Sequence, residues 1–135
     1  MPTTEIGYRI DPFPSEEELQ PMWTAARGSP WRGDLAFILA RSLVHACAYA
    51  GDRVVGYVNV AWDGGVHAFL LDTTVDPEFQ RRGIARELVR LVAAEAKTRG
   101  ADWLHVDYEP HLTGFYEGCG FRSTAAGLID LKRLA

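Results

Sequence analysis

Three strand-like runs follow one another between residues 44 and 75, and they limit the chain to folds that contain an antiparallel sheet. The runs read VHACAYA, RVVGYVNVAW and VHAFLLDTTV, and they are joined by Gly51-Asp52 and by Asp63-Gly64-Gly65. Connections this short join neighbouring antiparallel strands, because a parallel pair needs a crossover of a dozen or more residues. We therefore predict a three-stranded meander in the middle of the chain.

Helical patterns precede these strands. Ser15 and Glu18 form a capping-box pattern, which predicts a helix that Pro21 kinks or stops and that Gly28 ends. A second helix is predicted from about Asp34 to Leu43, because its apolar residues recur at helical spacing. Two helices should therefore pack against the strands that follow them.

The longest helical pattern comes directly after the meander. It runs from Gly83 to Arg99, its buried stripe includes Ile84, Leu88 and Val92, and Gly100 marks its end. The other segments predict a first strand in EIGYRI, a strand in WLHVDY, a short helix in HLTGFYEGC and a closing strand or hairpin in FRSTAAGLIDL. Helices packed on a mixed sheet define an α+β fold, and without a linker we expect one domain over residues 1–135.

The composition narrows the classes of function. The 135 residues carry a net charge of -4, whereas proteins that bind nucleic acids usually have a basic surplus. The start, MPTTEIGYRIDPFP, lacks a signal-peptide pattern, and the longest apolar stretch contains charge, so we expect a cytoplasmic protein without a membrane anchor. Cys47 and Cys119 are too few for a disulfide framework, and His45, His67 and His111 lack metal-ligand spacing, so no metal is predicted.

The segment QRRGIA, residues 80–85, lies where the third strand-like run gives way to the long helix. The first N–H groups of a helix have no intrahelical partners, and the helix dipole places partial positive charge there. Gly83 lets a ligand approach the backbone, while Arg81 and Arg82 add charge-assisted donors. The pattern is typical of a phosphate site, although a solvated basic turn has the same composition. Neither a P-loop nor a dinucleotide-binding GxGxxG pattern is present.

The motifs LLDTTVDPEFQRRGIARELV and FYEGCGF stand in this order after the meander. The first resembles the acetyl-CoA signature of the GNAT acetyltransferase superfamily, and the second resembles that family's Tyr on a short helix followed by Gly-Phe. The close resemblance covers roughly Leu71 to Phe121. It implies the family's fold, a central mixed and mostly antiparallel twisted sheet with helices on both faces.

The resemblance also implies which residues hold coenzyme A. Thr73, Thr74 and Val75 would pair their backbone with the pantetheine arm, as an added strand would do. The residues around the pyrophosphate would be Arg81, Arg82, Gly83, Ile84, Ala85 and Arg86. Ala85 stands where the family more often has Gly, and Arg86 is equally compatible with a solvated helix position.

Three residues are candidates for the chemical step. Tyr116 matches the family's usual general acid, which protonates the leaving thiolate, although it could serve only as a packed aromatic. His105 stands where some relatives have a Glu base, although it could equally be a polar residue of a half-buried strand. Asp72 is the alternative base, although an Asp at this place more often has a structural role. Glu109 stands where many relatives have a cofactor-binding Asn, so it could meet a cationic acceptor instead.

Two functions fit these residues. The first is an N-acetyltransferase that moves an acetyl group from acetyl-CoA to a primary amine of a small molecule or peptide, by direct attack on the thioester. The second is a non-catalytic, acyl-CoA-binding regulatory module with the same fold. In either case we expect neither nucleic-acid nor membrane partners, and a homodimer is a further expectation from the resemblance.

Overall fold

A computed structural model describes residues 5–135, which form a five-stranded sheet and four α-helices. The strands are β1 (Ile6–Ile10), β2 (Val44–Ala50), β3 (Arg53–Trp62), β4 (His67–Val75) and β5 (Trp103–Val106). The helices are α1 (Glu16–Arg27), α2 (Leu35–Arg41), α3 (Ile84–Thr98) and α4 (Thr113–Gly118). The sheet order follows the chain order; β1 to β4 pair antiparallel and β5 pairs parallel with β4. The meander and the mixed, mostly antiparallel α+β sheet are thus confirmed.

Helix α1 begins and ends at the predicted residues. The Glu18 N–H donates to Ser15 Oγ at 3.0 Å, the Ser15 N–H donates to Glu18 Oε1 at 3.1 Å, and Gly28 caps the other end at φ 76°. The helix nevertheless continues through Pro21, so the predicted stop at this residue is wrong. A proline removes a single hydrogen bond of the helix, and the two caps and the packing of the helix outweigh that loss.

The C-terminal segment also differs from the prediction. Residues 121–130 have no regular structure, and Leu131–Arg133 form a single 3-10 turn, so the closing strand predicted in FRSTAAGLIDL is wrong. A strand is stable only where another strand pairs with its backbone, and no strand of residues 5–135 pairs with the outer edge of β5. As a result, four apolar side chains of this segment are 64–82% exposed: Leu128, Ile129, Leu131 and Leu134.

Two apolar clusters hold the helices against opposite faces of the sheet. On the first face, α3 contributes Leu88, Val89 and Val92 to a core with alternate residues of β2, β3 and β4. On the second face, α1 and α2 cover β2 and β3, with Tyr57 at the centre of that cluster. Helices therefore lie on both faces, as the resemblance implied.

Gly56 of β3 brings α3 close to the sheet. A Cβ at this position would lie 3.0 Å from Leu88 Cδ1 and 3.1 Å from both Ile84 Cγ2 and Ala48 Cβ. Such distances are shorter than ordinary van der Waals contacts, so only glycine lets the first turns of α3 pack this tightly. The close packing places the N-terminal end of α3 near β4.

An irregularity in β4 shapes the region between the strands. Thr74 pairs with Tyr57 and Leu71 pairs with Asn59, so two residues of β4 stand opposite a single residue of β3. Asp72 is one of the two, and its backbone is left-handed at φ 59°. This is a β-bulge, a feature that bends a strand and redirects its side chains.

Beyond the bulge, β4 has a free edge. Strand β5 pairs with β4 only from His67 to Leu70, and β5 ends at Val106. The remaining part of β4, Leu71–Val75, therefore has no β5 partner, and its N–H and C=O groups on that side are open to another ligand. The site described next lies at this edge.

Candidate functional site

A cavity of about 500 Å³ lies between the free edge of β4, the start of α3 and α4. Seven of the nine residues predicted to hold coenzyme A line it, together with the predicted acid Tyr116: Thr73, Val75, Arg81, Gly83, Ile84, Ala85 and Arg86. The remaining lining residues are apolar or amide side chains that include Phe79, Leu112 and Phe115. The tertiary structure therefore brings the two separated motifs together at one cavity.

The loop before α3 adopts a backbone that presents its N–H groups. Arg81 and Gly83 are both left-handed, at φ 64° and 75°, and no side chain caps the first turn of α3. A left-handed conformation costs a non-glycine residue about 1 kcal/mol or more, so strain at Arg81 is typical of a functional loop. The uncapped helix start, with Arg81 and Arg86 in the wall, presents free N–H groups and positive charge at one end of the cavity, as a phosphate site would.

Thr74 and Arg82 do not line the cavity. The Thr74 hydroxyl accepts hydrogen bonds from Arg27 Nη2 at 2.6 Å and Arg27 Nε at 3.1 Å, and it donates to the Asp72 carbonyl oxygen at 2.9 Å. The Arg82 guanidinium lies 5.0 Å from the centre of the Phe79 ring. The backbone of Thr74 still belongs to the free edge, but its side chain joins β4 to α1.

Arg27 is a residue of this site that the sequence analysis did not identify. It lies in the last turn of α1, its guanidinium stacks on Trp23 at 4.6 Å, and it ties α1 to the bulge through Thr74. In the sequence, Arg27 cannot be distinguished from any other basic residue in the last turn of a helix. Since the contact spans 47 residues, only the folded chain reveals it.

Tyr116 is buried at the cavity wall, with 8% of its surface exposed. Its ring stacks on Tyr108 at 4.8 Å and meets Phe115 and Phe121 edge-on at 4.9 and 5.8 Å. Burial raises the pKa of Tyr116 above its usual value, while a hydrogen bond with Thr73 acts in the opposite direction. The phenol therefore stays protonated through neutral pH, and it lies beside the free edge of β4. Both properties are required of a proton donor at this edge.

His105 lies on the opposite face of the sheet from Tyr116. Its neighbours Leu104 and Val106 pack toward the α3 core, so alternation directs His105 to the other face, where it is exposed. Its Nε2 is 2.9 Å from His67 Nδ1, and its ring stacks on Phe69 at 4.7 Å. His105 does not line the cavity, so the structure separates this candidate base from the acid by the thickness of the sheet.

Asp72 lies at the bulge, between the cavity and the second face of the sheet. The side chain is open to solvent, but the protein around it partly desolvates the carboxyl and raises its pKa, and the Arg27 charge acts in the opposite direction. Asp72 has no salt-bridge partner among residues 5–135. It is therefore a free carboxylate at the point where β4 and β5 separate.

Residues 5–135 were also compared with the requirements of a metal site and of a membrane-spanning helix. They contain no group of three or more His, Cys, Asp and Glu side chains that could hold a metal ion. None of their helices is long and apolar enough to cross a membrane.

A free strand edge that leads to an uncapped helix start, with a buried phenol beside it, has the shape and charge that suit an elongated anionic ligand. The chain matches the Acetyltransferase (GNAT) family over residues 8–121, and it belongs to that family. The resemblance of the two motifs is thus confirmed.

Individual acetyltransferases resemble the chain in sequence or in fold. GCN5-related N-acetyltransferase 1, chloroplastic, of Arabidopsis thaliana is 29% identical over 76 residues, which are 56% of this chain and 39% of that protein. The chain thus spans about two fifths of the length of that curated relative. A GNAT family acetyltransferase from Streptococcus pneumoniae TIGR4 has a TM-score of 0.80 at 27% identity, covering 96% of this chain and 100% of that one. The aminoglycoside N-acetyltransferase AAC(6')-Iy, solved in complex with CoA, has a TM-score of 0.75 at 20% identity, with 98% of each chain covered.

Proposed function

We propose that this chain transfers the acetyl group of acetyl-CoA to a primary amine of a small molecule or peptide. The observation that carries the proposal is the convergence of Tyr116, the free edge of β4 and the uncapped start of α3 on one cavity. Membership in the Acetyltransferase (GNAT) family and the names of the relatives support acetyl transfer in general.

The residues of the cavity fit coenzyme A in three places. On the side that faces away from β3, the backbone of Thr73, Thr74 and Val75 has no β5 partner, so it can pair with the amides of a pantetheine arm. Arg81, Gly83 and the first turn of α3 match a pyrophosphate. Acetyl-CoA would supply an acetyl group activated as a thioester, and the cavity directs that end of the molecule toward Tyr116.

The proposed transfer is a direct attack of the amine on the thioester. The neutral amine nitrogen forms the C–N bond, the C–S bond breaks, and the sulfur takes the proton of Tyr116. The proton of the attacking nitrogen leaves to Asp72 or to a water molecule, and His105 on the other face of the sheet would receive it only through water. A backbone N–H near Val75 stabilises the negative charge on the carbonyl oxygen while the bonds exchange.

A thiol-release assay tests the proposal. Free coenzyme A is expected when the protein is mixed with acetyl-CoA and a panel of primary amines, and none when the amine is left out. Acetyl-CoA at roughly a hundred times its Kd should stabilise the fold by about 2.7 kcal/mol, measured as a shift in Tm. Stabilisation without turnover on any amine would instead favour the regulatory, acyl-CoA-binding module.

We also propose a homodimer in which the segment after Phe121 of each copy pairs with the outer edge of β5 of the other. The start of this segment already lies beside β5: the Arg122 guanidinium is 5.7 Å from the Trp103 ring, and Ser123 Oγ is 3.2 Å from Tyr108 Oη. The apolar side chains that follow are 64–82% exposed among residues 5–135, and an exchange of this segment between two copies would cover them in both.

The dimer has a direct test. Light scattering at micromolar concentration is expected to give twice the 15.0 kDa mass of one chain, and a Leu128→Ser, Ile129→Ser variant is expected to give the single mass. Phe37→Ser is the control, because Phe37 is an apolar side chain, 54% exposed, on α2 and outside this segment. A monomeric wild-type protein would contradict the proposed dimer.

A further inference from the structure

The bulge in β4 determines which side chains of this strand enter the cavity. Before the bulge, Ala68 and Leu70 pack against the α3 core. After the bulge, Thr73 and Val75 line the cavity, whereas Thr74 turns to the second face and contacts α1. The extra residue thus shifts the alternation of the strand by one position. Without this shift, Thr74 would face the cavity in place of its two neighbours.

The backbone of the bulge has a conformation that needs support. Asp72 is left-handed at φ 59°, a conformation in which the Cβ of any residue other than glycine is crowded. Such a conformation persists where the surrounding contacts fix it. A residue of α1, Arg27, supplies contacts of this kind from the second face.

Arg27 holds the bulge at three consecutive residues. Its Nε and Nη2 donate to the Thr74 hydroxyl at 3.1 and 2.6 Å, and Nη2 lies 3.5 Å from the Thr73 carbonyl oxygen. The Thr74 hydroxyl extends this contact to Asp72, because it donates to the Asp72 carbonyl oxygen at 2.9 Å. Hydrogen bonds from a charged donor are stronger than neutral ones, and the planar guanidinium fixes their directions.

The guanidinium of Arg27 is itself held in place. It stacks on the ring of Trp23, one turn earlier in α1, at 4.6 Å, and Trp23 meets Trp31 edge-on at 4.7 Å. Leu19 and Met22 of the same helix are buried in the apolar cluster of the second face. A helix that is anchored on the sheet therefore presents the guanidinium to β4.

Tyr116 lies on the cavity side of the same segment. Burial raises the pKa of Tyr116, while a hydrogen bond with Thr73 and the positive charge of Arg27 both lower it. The segment that Arg27 holds from the second face thus carries the hydrogen-bond partner of the proposed acid. It also carries the free edge that faces the proposed position of pantetheine.

We propose that Arg27 is a positioning residue for acetyl transfer, which holds the bulge of β4 so that Thr73 and the free edge are aligned with Tyr116. The inference depends on the proposed acetyl transfer, and it extends the site beyond the cavity, because Arg27 is not among the residues that line it. The free edge would position the thioester, and a displacement of about 1 Å can lower a reaction rate about a hundred-fold.

Removal of the guanidinium is expected to lower kcat more than it weakens donor binding. In Arg27→Gln, kcat for acetyl transfer should fall by about ten-fold or more, because the thioester and Tyr116 are no longer aligned. The Kd for acetyl-CoA should change by less than about three-fold, because the start of α3 still binds the phosphates. Steady-state kinetics and titration calorimetry measure the two quantities, and an unchanged kcat would overturn the proposal.

A double-mutant cycle tests whether Arg27 acts through Thr74. Thr74→Val removes the hydroxyl and keeps the branched shape of the side chain, so it breaks the same contact from the other end. The losses of kcat in Arg27→Gln and Thr74→Val should be similar, and the double variant should lose little more than either. Fully additive losses would show that Arg27 acts elsewhere, which contradicts the positioning role.

Arg41 is the matched control for Arg27. It also lies exposed in the last turn of its helix, α2, and its guanidinium stacks on the ring of Phe37, one turn earlier, at 3.4 Å. Its hydrogen bond goes to the Phe37 carbonyl oxygen of the same helix. Arg41→Gln removes the same charge and the same kind of stacking, and it should leave kcat within about two-fold. An equal loss of kcat in the two variants would count against a specific role of Arg27.

Failure of the positioning role and failure of acetyl transfer give different results. If the wild-type protein acetylates no amine, acetyl transfer fails as the function, and Arg27 is then tested by hydrogen exchange of residues 72–76. Their amides should exchange about ten-fold faster in Arg27→Gln, and at the wild-type rate in Arg41→Gln. Wild-type exchange in Arg27→Gln would show that Arg27 does not hold the bulge, whatever reaction the protein catalyses.

Discussion

Replacement of Tyr116 by Phe is expected to lower kcat for acetyl transfer by about a hundred-fold or more, with little change in the Kd for acetyl-CoA. Positioned proton transfer contributes roughly a hundred- to ten-thousand-fold to a reaction rate. The ring of Tyr116 supplies the packing against Phe115 and Phe121, and Phe preserves that ring. Only the proton for the leaving sulfur is lost, so steady-state kinetics and a thermal shift with acetyl-CoA separate the two effects.

Tyr108 offers a matched control for this experiment. Its ring stacks on Tyr116 at 4.8 Å, and its hydroxyl contacts Ser123 at the surface rather than the cavity. Tyr108→Phe removes a hydroxyl group from the neighbouring ring and should leave kcat nearly unchanged. Equal losses in the two variants, or none in Tyr116→Phe, would contradict the acid role.

The pH profile gives a second check on Tyr116. Since burial raises the pKa of the phenol above its usual value near 10, the acid is protonated at neutral pH and is lost only at strongly alkaline pH. The alkaline limb of kcat should therefore lie above pH 10 in the wild-type protein. The same limb should be absent from the residual activity of Tyr116→Phe.

Neutralising both loop arginines, as Arg81→Gln and Arg82→Gln, is expected to weaken acetyl-CoA binding by about a hundred-fold or more. Each charge-assisted hydrogen bond to a phosphate is worth about 1.5–3 kcal/mol, which is about ten-fold or more in Kd. The relative kcat/KM values of different amines should not change, because the loop that carries both side chains belongs to the proposed binding site of the donor and not of the amine. Titration calorimetry and an amine panel measure the two quantities.

A charge-matched control excludes a general effect of net charge. Lys97 is exposed in the last turn of α3, at the other end of that helix, and Lys132 is 91% exposed in the C-terminal segment. Lys97→Gln with Lys132→Gln removes the same two charges and should leave the Kd within about two-fold, since long-range surface charges are screened by salt. A change in amine preference in the arginine variant would show that the loop contacts the acceptor.

The positions of most secondary-structure elements and one side of the site could be predicted from the sequence, because both depend on local patterns. Alternating apolar residues, short turns and the Ser15 cap determine which segments are strands or helices. The left-handed glycine at residue 83 and the two arginines are contiguous in the chain, so the anion site before α3 is visible as a motif. Seven of the nine residues predicted for coenzyme A line the cavity for this reason.

Local sequence patterns do not predict how distant segments of the chain pair. Pro21 does not stop α1, and residues 121–130 form no strand, because in both cases distant packing or the availability of a partner strand outweighs local preference. The bulge at Asp72 likewise depends on the register of β4 against β3, which no run of residues encodes by itself.

The sequence by itself determined the family, the order of the elements up to α4 and the motif at the start of α3. Only the tertiary structure decided how side chains from distant segments are arranged around the cavity. It separated Tyr116 and His105 onto opposite faces of the sheet and tied Arg27 to Thr74. The physical reason is that a phosphate site forms from consecutive backbone N–H groups, whereas an acceptor site forms from side chains that only strand register and helix packing bring together.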